Sequence, residues 1–174
     1  MLQASPPEGG CAVKIVNSLL YGGSFLCFLL SFTAGDSAAA AVGSIPFFLL
    51  LAGGIHELSH CVGCLLTGSP IREVRLPLFR YAAGKVTLSS VISPLSYCVF
   101  QKGRDAWLVY LLGPLFSLIL WGLAFLAYRL HPSWTLGLGC ILAFVIAAGN
   151  LLPFGRNDMA MILREILYRN EKRT

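Results

Sequence analysis

The chain has 174 residues, 56% of them hydrophobic and only 12% charged, with a mean hydropathy of +0.74. Soluble domains carry about 25% charged residues, so the composition argues against a soluble globular domain and for a membrane protein, and the length suits a single domain spanning 1–174. The net charge of +5 does not point to nucleic acid, because most basic residues flank apolar runs, as membrane topology demands.

The N-terminal stretch MLQASPPEGGCAVK is polar and offers one lysine against Glu8. It lacks the positive n-region of a secretory signal, so an uncleaved first helix is expected. A spanning helix needs about 20 mainly apolar residues, and four stretches meet that length: 15–34, 38–66, 106–130 and 133–154. The second is long enough to tilt or to bend near Pro46. The connections after the first and third are short, which predicts antiparallel neighbours.

Residues 67–104 differ in character. Alternation in V-R-L-P-L and again in K-V-T-L-S, with Ala83-Gly84 between them, predicts a small membrane-associated β-hairpin. Pro77 restricts its first strand to an edge or a bulge. The remainder, through SPLSYCVFQKGRD, reads as irregular chain at the membrane surface. The tail MAMILREILYRNEKRT, residues 159–174, reads as a basic amphipathic helix whose Arg164, Arg169 and Lys172 meet anionic headgroups. The expected fold class is therefore an all-α polytopic membrane protein of about four transmembrane helices, with one hairpin after the second.

Six cysteines are scattered, mostly within apolar segments. They read as packing thiols rather than a disulfide framework, and Cys61-x-x-Cys64 lacks the βαβ surroundings of a redox motif. Orientation follows from Lys and Arg. The 67–104 connection carries Arg72, Arg75, Arg80, Lys85, Lys102 and Arg104, the C-terminal region carries Arg156, Arg164, Arg169, Lys172 and Arg173, and the third connection has only Arg129. The positive-inside rule makes both basic regions cytoplasmic. His56 and His60 then fall in the cytoplasmic half of the second span, with Asp158 at a similar depth.

Those histidines belong to His56-Glu57-Leu58-Ser59-His60. Positions i and i+4 lie on one helical face, so both histidines can reach one ion, while Glu57 can touch a water on that metal without ligating it. Zinc with three protein ligands lowers the pKa of such a water to about 7, and a carboxylate can then take its proton. A chance pentapeptide is a weak rival, because ionisable residues within lipid are costly and default to function. His131, beside Pro132, reads as a surface residue. Among the few acids, Asp36 and Asp105 fall at the ends of spans and read as caps or solvated charges. Asp158 instead follows GNLLPFGRND, where Asn150 and Pro153 interrupt an apolar helix. Non-helical backbone at membrane depth requires surrounding protein or a water-filled cavity, so Asp158 reads as part of a polar cavity.

His56-Glu57-x-x-His60, followed by Asn150-x-x-Pro153-x-x-x-x-Asp158, resembles the site-2 protease family of intramembrane zinc metalloproteases. The resemblance covers about residues 38–165, as a minimal core without PDZ or CBS modules. It implies His56, His60 and Asp158 as ligands of Zn2+ and Glu57 as general base. It also implies that the Asn150 and Pro153 element contributes to substrate binding, with Asn150 holding the substrate backbone or the oxyanion. By the same resemblance, an edge strand after the HExxH helix pairs with unwound substrate, and Gly113-Pro114 is similar to the family's G-P-x-x-N element. Met159 stands where the family usually has glycine, Ser117 where it has asparagine, and Arg156 is an unusual charge for that loop.

The implied activity is hydrolysis of peptide bonds in or near the transmembrane segments of membrane-protein substrates. The site would face the cytoplasmic side of a multi-pass protein of the plasma membrane. The implied partners are that transmembrane substrate and the lipid bilayer; the oligomeric state stays open. The alternative is a catalytically inactive, metalloprotease-like membrane scaffold or chaperone, which Met159 and Ser117 favour. A small metal transporter would require further polar residues along the spans, and few are present.

Overall fold

A computed structural model describes residues 11–88, 96–101, 105–153, 155 and 157–171. The expectation of an uncleaved N-terminus falls on residues 1–10, and that of a charged loop on Arg156; both lie outside the described residues, as do 89–95 and 102–104 of the connection. The described elements are α1 (Cys11–Thr33), α2 (Ala38–Gly43), α3 (Ile45–Thr67), β1 (Ile71–Arg75), β2 (Phe79–Ala82), β3 (Lys85–Leu88), β4 (Tyr97–Phe100), α4 (Ala106–Leu130), α5 (Trp134–Leu151) and α6 (Asp158–Glu171). The fold is mostly helical with a small antiparallel sheet. Four of its helices, Val13–Thr33, Ile45–Thr67, Ala106–Leu130 and Trp134–Leu151, are long and apolar enough to cross a membrane. Their outer surfaces carry exposed Leu19, Leu65, Leu123 and Ile141. Water-facing surfaces rarely gather so many large apolar side chains.

The expected span 38–66 is two helices. Ser44 ends α2, its N–H reaching Ala40 O and Ala41 O and its hydroxyl donating to Ala40 O at 2.8 Å. Pro46 has no N–H to donate and is accommodated in the first turn of α3, which fixes the break just before it. The fourth helix stops earlier than expected, at Leu151. Leu152 is extended, as the residue before a proline prefers to be, and ends the helix ahead of Pro153.

The 67–104 region departs furthest from expectation. It forms a four-stranded sheet in the order β3-β2-β1-β4, not one hairpin. The turn at Ala83-Gly84 is present, with both residues at positive φ (51° and 77°), the pattern of a tight hairpin turn. The strand expected across V-R-L-P-L is divided, because Pro77 sits buried in the turn between β1 and β2. Tyr97–Phe100, expected as irregular chain, pairs with β1. Nor does the sheet lie beyond the end of the helices. A Cβ on Gly53 of α3 would stand 3.2 Å from Ser96 Oγ, and Leu78, Phe79 and Leu88 share one cavity wall with Phe47 and Leu50. The strands therefore run back alongside α3.

Register gives the sheet two unlike faces. Val74 pairs with both Tyr81 and Cys98, and Tyr81 with Val86, making an apolar row. Arg75 pairs with Arg80 and with Tyr97, making a polar row on the other side. Val74 and Cys98 turn inward, while Tyr81 and Val86 are exposed at the far side of the sheet.

The core centres on α3, which packs against α1, α4, α5, β1 and β4. Its buried residues include Ala52, Gly54, His56, Glu57, Ser59, His60, Gly63 and Cys64. A Cβ on Gly63 would stand 2.8 Å from Val109 Cα, so this glycine sets how closely α3 and α4 cross. That crossing positions the site.

Candidate metal centre

His56 and His60 project from one face of α3, as their spacing requires. Both are buried, at 6% and 4% exposure. Asp158 opens α6, which packs on α4, and brings Oδ2 to 2.9 Å from His56 Nε2 and 3.3 Å from His60 Nε2. The two Nε2 atoms are themselves 3.3 Å apart.

The other ring nitrogens are engaged. His60 Nδ1 donates to the Val109 carbonyl at 2.8 Å, which requires the proton on Nδ1 and leaves Nε2 as a bare lone pair in the neutral ring. His56 Nδ1 is 2.9 Å from the Ser117 hydroxyl, which can accept in the same way. Outer partners of this kind fix the tautomer and ring orientation of a metal-binding histidine. Among the described residues, Asp158 Oδ2 is buried and has no hydrogen-bond partner. With Ser117 accepting from His56 Nδ1, both Nε2 atoms of the neutral rings present lone pairs beside the carboxylate oxygen.

A cation satisfies such a triangle. Ligand atoms held about 2.0–2.1 Å from zinc at tetrahedral angles stand about 3.3 Å apart, close to the 2.9, 3.3 and 3.3 Å separations here. The room is kept by Gly113 of α4: a Cβ there would lie 2.5 Å from His60 Cε1 and 2.8 Å from Asp158 Oδ2. No other group of three His, Cys, Asp or Glu side chains with ligand-like spacing occurs among the described residues.

Asp158 is delivered by the interruption between α5 and α6. Asn157 donates through Nδ2 to the carbonyls of Gly149 and Leu152 and accepts through Oδ1 from Ala160 N–H. It thereby ties the end of α5 to the start of α6, supplying both helix ends with partners they otherwise lack.

The cavity beside the triangle has a volume of about 390 Å³ and is lined by His56, Glu57, His60, Asn150 and Asp158 together with Tyr97, Cys98, Phe100, Tyr110, Asn157 and Met161. Glu57 is buried and faces the backbone N–H of Cys98. Asn150 lines the cavity while its Nδ2 donates to Ile146 O of its own helix at 3.0 Å. Pro153 is exposed past the end of α5 and does not line the cavity; its effect there is to end the helix.

Sequence reasoning missed Asn157 and, of Gly113 and Ser117, saw only their place in a G-P-x-x-N-like element. Ser117 stood out only as a departure from a motif, yet its hydroxyl is the partner of His56. On the polar face of the sheet, Glu73 accepts from Arg80 Nε at 2.9 Å and from Tyr97 OH at 3.0 Å. Burial pushes the Glu73 carboxyl up, but these bonds and the Arg80 charge prevail and hold it below its ordinary range.

No family model matches the chain, and no curated protein or solved structure shows significant similarity to it. The functional reading therefore rests on the residues themselves.

Proposed function

We propose that the protein is an intramembrane zinc metalloprotease of the site-2 protease type, cleaving membrane-protein substrates in or near their transmembrane segments. The observation that carries this reading is the triangle of His56 Nε2, His60 Nε2 and Asp158 Oδ2, each within 3.3 Å of the others, beside a buried glutamate. Three protein ligands with an open fourth position is the pattern of catalytic rather than structural zinc.

Held by His56, His60 and Asp158, a zinc ion would supply Lewis acidity toward a peptide carbonyl and a water. The chain does the rest. Glu57, lining the same cavity, accepts the proton of the water and returns it to the leaving amine. The Val109 carbonyl and the Ser117 hydroxyl, each bonded to a ring Nδ1, would keep the rings in the ligating tautomer. Asn150 lines the wall where a substrate carbonyl or its oxyanion is to be held. β4 is the last strand of its sheet and contributes Tyr97, Cys98 and Phe100 to the cavity. A transmembrane helix must unwind before its amides are open to attack, and an edge strand supplies replacement hydrogen bonds for the unwound stretch.

With four spans, the basic 67–104 connection and α6 share one side, which the positive-inside rule makes cytoplasmic. The proposed location is therefore the plasma membrane, multi-pass, with the cavity opening toward the cytoplasm.

The test is metal content and cleavage of a transmembrane-segment substrate by the purified chain, beside His56→Ala, Asp158→Ala and Glu57→Gln. About one zinc per chain is expected, lost in the first two variants, with Glu57→Gln keeping the metal and losing cleavage. Zinc binding without cleavage by the unaltered chain across a panel of transmembrane substrates would favour a metal-holding scaffold. No zinc at all in a folded chain would overturn the reading.

A further inference from the structure

The polar face of the sheet sets two like charges against one another. Arg75 of β1 stands directly opposite Arg80 of β2 on one side and Tyr97 of β4 on the other, and like charges placed opposite one another across a ladder repel. Only one of the two is paired. Arg80 donates to Glu73, which also accepts from Tyr97 OH. Arg75 turns the other way, toward β4, and its guanidinium carbon lies 5.5 Å from the centre of the Tyr97 ring. Among the described residues Arg75 makes no ion pair, and its buried Nε has no hydrogen-bond partner. The tyrosine face attracts the charge but offers Nε no acceptor oxygen.

The side toward which Arg75 leans is the open one. β4 is the last strand of the described sheet, and Tyr97 borders the cavity lined by His56, Glu57 and Asp158. We infer that Arg75 reads the substrate, binding the carboxylate of an acidic residue on the segment added at β4, at the position opposite Tyr97. The inference rests on the proposed function, in which β4 receives the unwound stretch. An added strand lies one strand spacing beyond β4 and two beyond β1, about 10 Å from the latter. Arg75 and a glutamate at that position, reaching toward one another across the Tyr97 ring, close the gap between them. A planar guanidinium takes a carboxylate through two parallel N–H···O bonds, which supplies the acceptor that Nε lacks. Successive side chains of a strand point to opposite faces, so the substrate residues on either side meet the face of Val74 and Cys98 instead. The substrate class so specified is a membrane-protein segment with an acidic residue close to the scissile bond.

The experiment takes a transmembrane-segment peptide that the full chain cleaves in neutral detergent micelles, free of phospholipid, and moves a single glutamate through it one residue at a time. At one position near the scissile bond KM should fall roughly tenfold, the weight of one hydrogen bond to a charged group, with kcat nearly unchanged. A smaller gain is expected two residues to either side, and none at the residues between. Glutamine at the favoured position should lose the gain, a comparison made on the unaltered chain and so independent of how any variant folds. Arg75→Gln should level the scan. Arg75→Glu should transfer the preference to lysine at the same position, a reversal that a merely structural arginine does not produce. The inference is overturned, with the protease reading left standing, by a flat scan from a chain that cleaves. It is equally overturned by a glutamate preference that survives in Arg75→Gln, or by an Arg75 dependence that shows only once anionic lipid is added. A chain that binds zinc but cleaves no peptide removes the protease reading itself, and this inference with it.

Discussion

Asp36 and Asp158 are the same residue at opposite ends of α5, and they are held in opposite ways. Asp36 meets the start of that helix and accepts from the backbone N–H groups of Trp134 and Thr135 and from the Thr135 hydroxyl. Asp158 follows its end and turns Oδ2 toward the ring nitrogens of two histidines. A carboxylate surrounded by donors is a helix cap, with its charge complementing the helix dipole. One set among acceptors has an unmet demand for a cation. Position at a helix end does not separate the two roles; the chemistry of the opposing atoms does.

The sharpest break of that comparison is removal of each carboxylate in turn. Asp158→Ala should abolish zinc binding measured by chelator competition, a loss beyond the ~10–100-fold typical of an outer partner. Asp36→Ala should leave zinc affinity unchanged and lower only the thermal unfolding midpoint. Equal effects on zinc would collapse the distinction.

Gly113→Ala comes next, since its methyl would occupy the space between His60 and Asp158. Crowding of this kind costs about 1–3 kcal/mol, and zinc affinity should fall further than the stability loss alone explains. If bound zinc is unchanged, the cluster is looser than described.

Ser117→Ala removes the partner of His56 and should weaken zinc by ~10–100-fold at nearly unchanged stability. Asn157→Ala unties α5 from α6 and should lose about 1 kcal/mol of stability as a missing cap, with a smaller loss of zinc affinity. Asn157→Asp, which keeps the acceptor for Ala160 N–H but loses the donor to Gly149 and Leu152, should fall between, and a full recovery would show that only the cap matters.

The smallest effect is acid dependence at Asp36. Desolvation raises its carboxyl, but the three hydrogen bonds prevail and hold it below its ordinary range. A depressed folded pKa contributes stability that is present above the unfolded value and is lost as pH falls through the folded one. The unfolding midpoint should therefore drop on the acid side of the normal aspartate range, and Asp36→Asn should flatten that drop. An unaltered acid limb in the variant would remove Asp36 as its source.

Much of this was written in local pattern. The His56-Glu57-x-x-His60 spacing specifies a shared helical face, the limits of α4 follow from uninterrupted apolar composition, and Ala83-Gly84 marks its turn. The sheet was harder to see because its partners are distant. Tyr97–Phe100 is four residues long, with no turn chemistry to announce it, and it becomes a strand only because β1 lies beside it. The contacts of Ser117 and Gly113 with the histidines were opaque for a related reason. A serine and a glycine in a long apolar helix have no local signature, and their importance arises from the closeness of α3 and α4. The break at Ser44 was half visible, since Pro46 indicates a disturbance without saying whether the helix bends or restarts.

The convergence of α3 and α6 also bears on biosynthesis. Both histidines are made early, but the aspartate completing their cluster is translated only after α4 and α5. Elements form as the chain is synthesised, from the N-terminus onward, so the nascent polypeptide carries two of the three proposed ligands before the third exists. On the proposed function, metal loading would be deferred until the helix that completes the cage has been made, and with it hydrolytic capacity toward neighbouring chains emerging at the same translocation site.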